Sequence, residues 1–440
     1  MQDTFFLVSL GCPKNLVDSE VLCAQLLLNG FQMTDDPDEA TLYLINTCAF
    51  LPSARREAAD EIRLAVRWKK RRKNRRIVVA GCLPERLRDR DIQAQYPEVD
   101  HFLRVDASEH LAEILRGAEA PVCGGEPSYL ADHRAPRLLL TLPFVAYLKI
   151  SDGCDNRCSY CSIPLIRGGL RSRPMDSVLT EARDLIAGGV RELVVIAQDI
   201  TAYGSDRPES GDSIGKLVRA LNGLEGDFRI RLLYTHPAHY SDDFIAAVAE
   251  SSKVIPYFDI PLQHISDRIL TAQRRHVTQA QIRHWIGKIR REIPGAVLRT
   301  TFIAGLPGET EAEFEELKAF MREIRFERAG VFAYAAEPDT PAAEMPDQVP
   351  NEIAEARAEE LMELQQEIMH SRHEEWIGRR DRVLIQYKNR GKAYGRGTLD
   401  APDIDNDVVI SGGGRLKTGE FYDIMYERVN DFSLEGSVAR

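Results

Sequence analysis

Residues 150–164, ISDGCDNRCSYCSIP, hold three cysteines, Cys154, Cys158 and Cys161, in a C-x3-C-x2-C spacing. Thiols this close face one metal centre only from a tightly folded loop, which Gly153 and the Asp155-Asn156 pair favour. Structural zinc takes four protein ligands, and an electron-carrying iron–sulfur cubane takes four cysteines. Three are present here and no fourth is evident, so a cubane would keep one iron open, the mark of a catalytic site. A zinc ion with a distant fourth ligand is the rival reading. Three unrelated loop cysteines are the simplest alternative.

Three more cysteines each close an apolar run. FFLVSLGC ends at Cys12, LYLINTC at Cys48 and IVVAGC at Cys82. Taken singly, each reads as a buried structural thiol. Together they fall where strands of a parallel sheet would end, the edge at which open α/β folds bind ligands. A second three-cysteine cluster is the expectation, with coincidence as the alternative. Cys23, within VLCAQLLL, reads as core, and Cys123, in PVCGGEP, is given no role.

The elements that must position these groups follow from pattern. Residues 1–135 alternate short apolar runs with helical stretches, as a parallel sheet does. Within 136–372, residues 138–335 are expected to form six strand-then-helix units, with strands near 144–150, 193–197, 230–235, 257–261, 297–304 and 331–334. Such right-handed crossovers curl into a barrel, and six units give an open partial (β/α) barrel related to the TIM type. The cysteine loop follows its first strand. Loops at the same end bring Gln198, Asp199, His236, Gln263, His264 and GLPGET (305–310), whose glycines are expected to let backbone approach a ligand. Lys149, Asp259 and Arg299 are charges within strands, either lining a cofactor cavity or forming ion pairs. A proline-rich connector leads to an amphipathic helix over 350–376. Residues 373–440 alternate apolar and polar between glycine-rich turns, as a small antiparallel β-barrel does.

Composition sets limits. At 440 residues, length suggests about three domains. Net charge is −11, from 57 basic and 68 acidic residues, which speaks against a protein that coats nucleic acid. The N-terminal MQDTFFLVSL has no basic leader and does not read as a secretory signal. No apolar run approaches membrane-spanning length. Eight cysteines in partly metal-like spacing point to a reducing cytoplasm. The run KKRRKNRR from Lys69 to Arg76 reads as a solvated helix end, with an RNA or ribosome contact as the alternative.

The loop at Cys154, with aromatic Tyr160 before the last cysteine, resembles the signature of the radical S-adenosylmethionine (SAM) enzymes. The resemblance implies a 4Fe–4S cluster whose open iron holds SAM, from which one electron releases a 5′-deoxyadenosyl radical. With both cysteine sets placed, the whole chain resembles the methylthiotransferases of that superfamily. These join a cluster domain, a radical barrel and a TRAM β-domain, here 1–135, 136–372 and 373–440. The resemblance implies that Cys12, Cys48 and Cys82 bind an auxiliary 4Fe–4S cluster and Cys154, Cys158 and Cys161 the radical cluster. It also implies a SAM pocket, for which Tyr160, Gln198 and Arg299 are the candidates; no side chain beyond the cluster ligands is assigned a catalytic role.

Two branches of the family matter, one modifying a tRNA adenosine (MiaB-like) and one an aspartate of small-subunit ribosomal protein twelve (RimO-type). GCPKNLVDSE (11–20) resembles the ribosomal-protein branch, where the tRNA branch usually reads GCQMN. YLKISDGCDNRCSYCSIPLIRG, AQDITAYG and PLQHISDRIL agree, while AQRR departs by carrying Gln273 in place of methionine, and Ile200 follows Asp199 where threonine is commoner. Residues 373–440 hold nearly balanced charge with an acidic run, DAPDIDND (400–407), expected to suit a basic ribosomal protein better than tRNA. The substrate is therefore expected to be the ribosomal protein, free or on the ribosome, with an electron-donor protein as a further partner. A non-enzymatic, ribosome-associated metal-binding module is the reading from another class.

Overall fold

The computed structural model describes residues 3–87, 92–117 and 127–439. Cys123 lies outside the described residues. The first five strands, β1 (Thr4–Ser9), β2 (Gln32–Met33), β3 (Leu42–Thr47), β4 (Arg76–Gly81) and β5 (His101–Leu103), pair in parallel in the order β2-β1-β3-β4-β5. β3 is buried along its whole length, as a strand covered on both faces must be, and its sequence LYLINT is accordingly apolar-rich. Because β1, β3 and β4 are neighbours, the turns that follow them leave one edge side by side. Cys23 has no exposure within the Pro13–Leu28 helix, and burial pushes its thiol up to about 12.

The basic run straddles a helix end. The Pro52–Lys69 helix stops at Lys69 and β4 begins at Arg76. Lys69 pairs with Asp100 at 2.6 Å, Lys70 with Glu98 at 3.2 Å, and buried Arg75 with Asp38 at 3.2 Å, stacked on Trp68. Those cations are committed to this domain's own carboxylates.

Six parallel strands follow: β6 (Val145–Lys149), β9 (Glu192–Ile196), β10 (Arg229–Leu232), β11 (Tyr257–Gln263), β12 (Val297–Ala304) and β13 (Arg328–Ala333). A two-strand hairpin, β7 (Ser151–Asp152) with β8 (Arg171–Ser172), frames the cysteine loop. The six form two sheets, β6-β9-β10 and β11-β12-β13, joined through an Ile230–Val254 bridge and a Thr235 N–H bond to the Asp259 carbonyl. The arc stays open between β6 and β13. Its outer face packs on helices, two of which start at capping boxes, Thr278 with Gln281 and Thr310 with Glu313. β12 shows the two faces: Leu298, Thr300, Phe302 and Ala304 are buried, whereas Arg299, Thr301 and Ile303 between them are partly exposed to the inside. In GLPGET the expectation of a ligand-approaching glycine is corrected at Gly305. Gly305, at φ +76°, lies so close to Ala354 of the Asn351–Glu374 helix that a side chain would collide with it.

The last five strands, β14 (Arg380–Asn389), β15 (Lys392–Arg396), β16 (Val408–Ile410), β17 (Phe421–Asn430) and β18 (Ser433–Val438), close a barrel in the order β14-β15-β16-β18-β17. It is not wholly antiparallel: β16 and β18 run parallel. A closed ring with an odd number of strands cannot alternate direction throughout, so one parallel pair is forced.

The acidic run 400–407 is partly spent inside the chain: Asp400 is buried, whereas Asp403 stays exposed. Its aspartates reach the six parallel strands on the side of their N-terminal ends: Asp400 pairs with Arg328 at 2.7 Å, and Asp403 and Asp405 accept from the Tyr147 and Tyr257 hydroxyls at 2.6 and 2.7 Å. Beside them buried Glu192 receives Arg229, Arg231 and Arg396 at 3.0, 3.0 and 2.8 Å. Tyr147, Val194, Tyr257 and Val297 share one apolar core with Val383, Leu399 and Ala401. Summed charge misses this, because it says nothing of where each carboxylate is spent. Among the described residues no helix is long and apolar enough to cross a membrane.

Candidate active site

Each cysteine of the first set is placed by a backbone device. Cys12 caps the Pro13–Leu28 helix, Cys48 directly follows β3, and Cys82 opens a short helix directly after β4. Gly11, at φ +95°, leaves room for Cys48: a Cβ there would stand 2.6 Å from the Cys48 Cβ. Asn15 ties the loops together, its Nδ2 donating to the Leu10 and Thr47 carbonyls at 3.1 and 2.7 Å and its Oδ1 lying 3.3 Å from the Cys82 Sγ. Burial raises the Cys48 and Cys82 thiols, the latter to about 12, and each also feels the charges of the other cysteines and of Arg167.

The second set lies on the loop between β6 and the Ile163–Arg167 helix. Gly153, at φ +79°, passes so close to the Gly169 carbonyl that only glycine fits, and the Cys154 N–H bonds to the Gly168 carbonyl at 3.1 Å. The loop is pinned to the barrel at three places. Asn156 donates to Asp199 at 2.9 Å, the Ser159 hydroxyl contacts Gln273 Oε1 at 2.7 Å, and Arg275 donates to both the Cys158 Sγ and the Tyr160 hydroxyl at 3.2 Å. Gln273, the departure in AQRR, thus supports the cluster loop through a hydrogen bond. Burial, with the neighbouring cysteines adding to it, pushes Cys154 up to about 12 and Cys161 higher. All three cysteines, with Arg157 and Arg274, line a cavity of about 260 Å³.

The two sets meet across the domain boundary. Arg167, six positions after Cys161, donates to Asn15 Oδ1 at 2.6 Å, to the Cys82 Sγ at 3.5 Å and to Asp18 at 2.7 Å. Lys149 joins Asp18 and Asp152 at 2.6 and 3.2 Å, so the strand charge forms ion pairs. These two cations overcome the burial that opposes Asp152 ionisation and hold its carboxyl below the usual range. The Ser162 hydroxyl, next to Cys161, donates to the Phe50 carbonyl at 3.2 Å, two residues from Cys48. Tyr234, at φ +66°, feels the charges of both Lys14 and Cys12 from inside the radical barrel.

These donors fit iron–sulfur clusters and a polar cofactor. Among the described residues no group of three or more His, Cys, Asp or Glu side chains is arranged to hold a single metal ion. A cubane spreads its ligands, each cysteine binding a different iron, and an all-thiolate set suits it. Above the cysteine loop, Gln198 Oε1, His236 Nε2 and Gln263 Oε1 are buried without a hydrogen-bond partner, as the lining of a polar ligand site would be. Gln263 sits at φ +72°, a strained conformation of the kind that collects at ligand sites. Of the three expected pocket residues, Tyr160 and Gln198 lie here, the latter donating to Asp152 at 2.7 Å. Arg299 is elsewhere engaged, donating to Asp259 at 3.0 Å and lying 4.0 Å from Asp405. Sequence reasoning passed over Asn15, Arg167 and Arg275. The first two lie inside GCPKNLVDSE and SIPLIRG, so their nearness to the cysteines was the available signal.

Comparison with known proteins follows this architecture. Residues 4–104 match the family model described as uncharacterized protein family UPF0004, 148–321 the radical SAM superfamily and 377–439 the TRAM domain. Among solved structures, the radical SAM methyltransferase TsrM from Kitasatospora setae superposes with a TM-score of 0.59 at 13% identity, covering 78% of this chain and 77% of that one. That likeness shows the fold. The ribosomal protein uS12 methylthiotransferase RimO of Desulforamulus reducens is 41% identical over 99% of both chains. That of Akkermansia muciniphila is 44% identical, covering 92% of this chain and 94% of its own. At such identity over nearly full length, this chain belongs to the RimO family of radical SAM methylthiotransferases.

Proposed function

We propose that the protein is a cytoplasmic enzyme that methylthiolates the β-carbon of an aspartate in ribosomal protein uS12, using SAM and two 4Fe–4S clusters. Cys154, Cys158 and Cys161 hold the radical cluster, and Cys12, Cys48 and Cys82 the auxiliary one. The carbon to be modified is unactivated, beyond the reach of acid–base chemistry by side chains. When bound, the clusters and SAM supply the radical and sulfur chemistry that such a carbon needs.

The chain's own residues have separate tasks. Arg275 places a cation against the Cys158 sulfur and fixes the Tyr160 ring through its hydroxyl. Asn156, through Asp199, and Gln273, through Ser159, hold the loop whose three cysteines would bind the radical cluster. Arg167 does for Cys82 what Arg275 does for Cys158, while hanging from the helix that follows Cys161. The partly exposed inner positions, Thr301 and Ile303 on β12 and Gly330 and Phe332 on β13, leave room for a protein segment to enter from the open side of the arc.

One observation carries the reading: Arg167, on the helix that follows Cys161, bonds to a thiol of the N-terminal set, which supports a chamber common to both cysteine groups. Mass spectrometry of uS12 and of tRNA from a strain lacking this chain tests the substrate; loss of a methylthio mark from uS12 alone is expected, and loss from tRNA alone favours the adenosine branch. Cys12→Ala is expected to abolish methylthiolation while SAM cleavage and radical-site iron persist. Full methylthiolation by that variant excludes a sulfur-carrying role for the N-terminal set.

A further inference from the structure

Three lysines are buried among the described residues. Lys149 is paired with Asp18 and Asp152, and Lys318 with Glu315 and Glu360. Lys14 has no carboxylate and no hydrogen-bond acceptor among the described residues, although it is only 8% exposed. Its ammonium rests 3.3 Å from the centre of the Tyr234 ring. A cation–π contact is worth about 2 kcal/mol or more when desolvated, but unlike a carboxylate the ring brings no opposite charge.

Its setting makes the missing anion more conspicuous. Lys14 occupies the second position of the Pro13–Leu28 helix, whose first turn holds no acidic residue. The positive end of a helix favours an anion there and disfavours a cation. An arriving carboxylate would satisfy the ammonium and the helix terminus together. Of the cations nearest the N-terminal set and the barrel interior, Arg167 is engaged by Asp18 and Asp152, Arg275 by the Cys158 and Tyr160 side chains, and Arg299 by Asp259, while Arg157 and Arg274 line the separate cavity at Cys154, Cys158 and Cys161.

We infer that Lys14 anchors the carboxylate of the substrate aspartate, with Tyr234 holding the ammonium in place beforehand. This rests on the reading that uS12 aspartate is the substrate, and it names the group that recognises it. In an aspartate the β-carbon is bonded directly to the side-chain carboxyl carbon. Fixing the carboxylate at Lys14 therefore fixes the reacting carbon beside Cys12, two residues away on the same turn. An asparagine in the same loop would offer no charge to compensate the ammonium.

The test measures binding of two synthetic peptides to the anaerobically reconstituted full-length protein. One spans the modified aspartate of uS12, and the other carries asparagine in its place. The parent is expected to prefer the aspartate peptide by at least about tenfold, the value of one charge-assisted hydrogen bond. Lys14→Met is expected to bring that ratio near one, and Lys14→Arg to restore a preference, with iron and sulfide content unchanged in both. No preference in the parent, or a preference that survives in Lys14→Met, overturns the inference. So does a Lys14→Met variant whose only change is in the electron paramagnetic resonance of the auxiliary cluster, since Lys14 would then merely balance cluster charge. Should Lys14→Met lose its iron, the peptide pair on the parent and on Lys14→Arg decides. Failure of the substrate reading appears separately, as a parent enzyme that yields no methylthio-uS12 by mass spectrometry.

Discussion

The two ends of the radical barrel are made from the same strands and both carry charge, yet they are finished differently. At the N-terminal end the buried charges are gathered into ion pairs, although Arg229 Nε and the His373 ring nitrogens keep no hydrogen-bond partner among the described residues. Glu192 gathers three arginines, Asp400 takes Arg328, and two tyrosine hydroxyls end on Asp403 and Asp405. At the C-terminal end Gln198, His236 and Gln263 keep unpartnered buried atoms, and Tyr234 and Gln263 hold left-handed backbone. Buried polar groups left unsatisfied, and strain left unrelieved, are tolerated where a ligand completes them. The closed end is therefore structure and the open end is chemistry, and substitutions at the two ends should separate stability from activity.

The largest effect is expected from Glu192→Gln. It leaves Arg229, Arg231 and Arg396 buried around a neutral group, and breaking such a cluster costs about 3–5 kcal/mol. Denaturant unfolding of the variant should show that loss, while protein kept cold retains iron at Cys154, Cys158 and Cys161. A variant that unfolds as the parent does, yet loses radical-site iron, breaks the division between the ends.

Asp400 sharpens it through pH. Burial, with Asp405 adding to it, outweighs the pull of Arg328 and raises the Asp400 carboxyl to about 6. The unfolded chain releases the same proton near about 4. Between these values the folded state holds the extra proton, so raising pH favours unfolding. The advantage of the parent over Asp400→Asn should therefore shrink by roughly 2–3 kcal/mol from pH 4 to pH 7 and stay constant above. Unfolding of both proteins across that range measures it, and an advantage that grows with pH refutes the assignment.

At the open end, Arg275→Lys keeps the charge but loses the fork that reaches Cys158, Tyr160 and the Pro261 carbonyl at once. About a tenfold fall in SAM cleavage is expected, with full iron content, an altered resonance signal from the radical cluster and unchanged unfolding. A stability loss without a spectroscopic change would place Arg275 with the structural arginines instead.

Much of this was legible before any coordinates. The cysteines announce themselves because each lies within a few residues of the backbone device that places it, a strand end or a glycine turn. A parallel sheet with Cys12, Cys48 and Cys82 along one edge followed from parallel-sheet rules, whereas the strand order that makes β1, β3 and β4 neighbours came from the structure. What stayed hidden acts across domains. Arg167 meets Cys82 from 85 positions away in the chain, and nothing local to either marks the pairing. The internal pairing of the acidic run stayed hidden for the same reason, since Asp400 and Asp405 look solvated until the barrel end that receives them is in view. Arg299 was a sound candidate for a cofactor cavity by its position in a strand, but Asp259 on the neighbouring strand already claims it.

The smallest effect compares two tyrosine hydroxyls, one at each end. Tyr147 gives its proton to Asp403 at 2.6 Å, and the Tyr160 hydroxyl accepts from Arg275 at 3.2 Å. Phenylalanine removes one hydrogen bond in each case, worth about 1 kcal/mol. Tyr147→Phe should therefore lower unfolding stability measurably and leave SAM cleavage at the parent rate. Tyr160→Phe should do the reverse, because Arg275 keeps Cys158 and Pro261 as partners while the ring loses the contact that fixes it. If both variants lost stability alone, Tyr160 would be ordinary packing and the open end would begin further up the barrel, at Gln198.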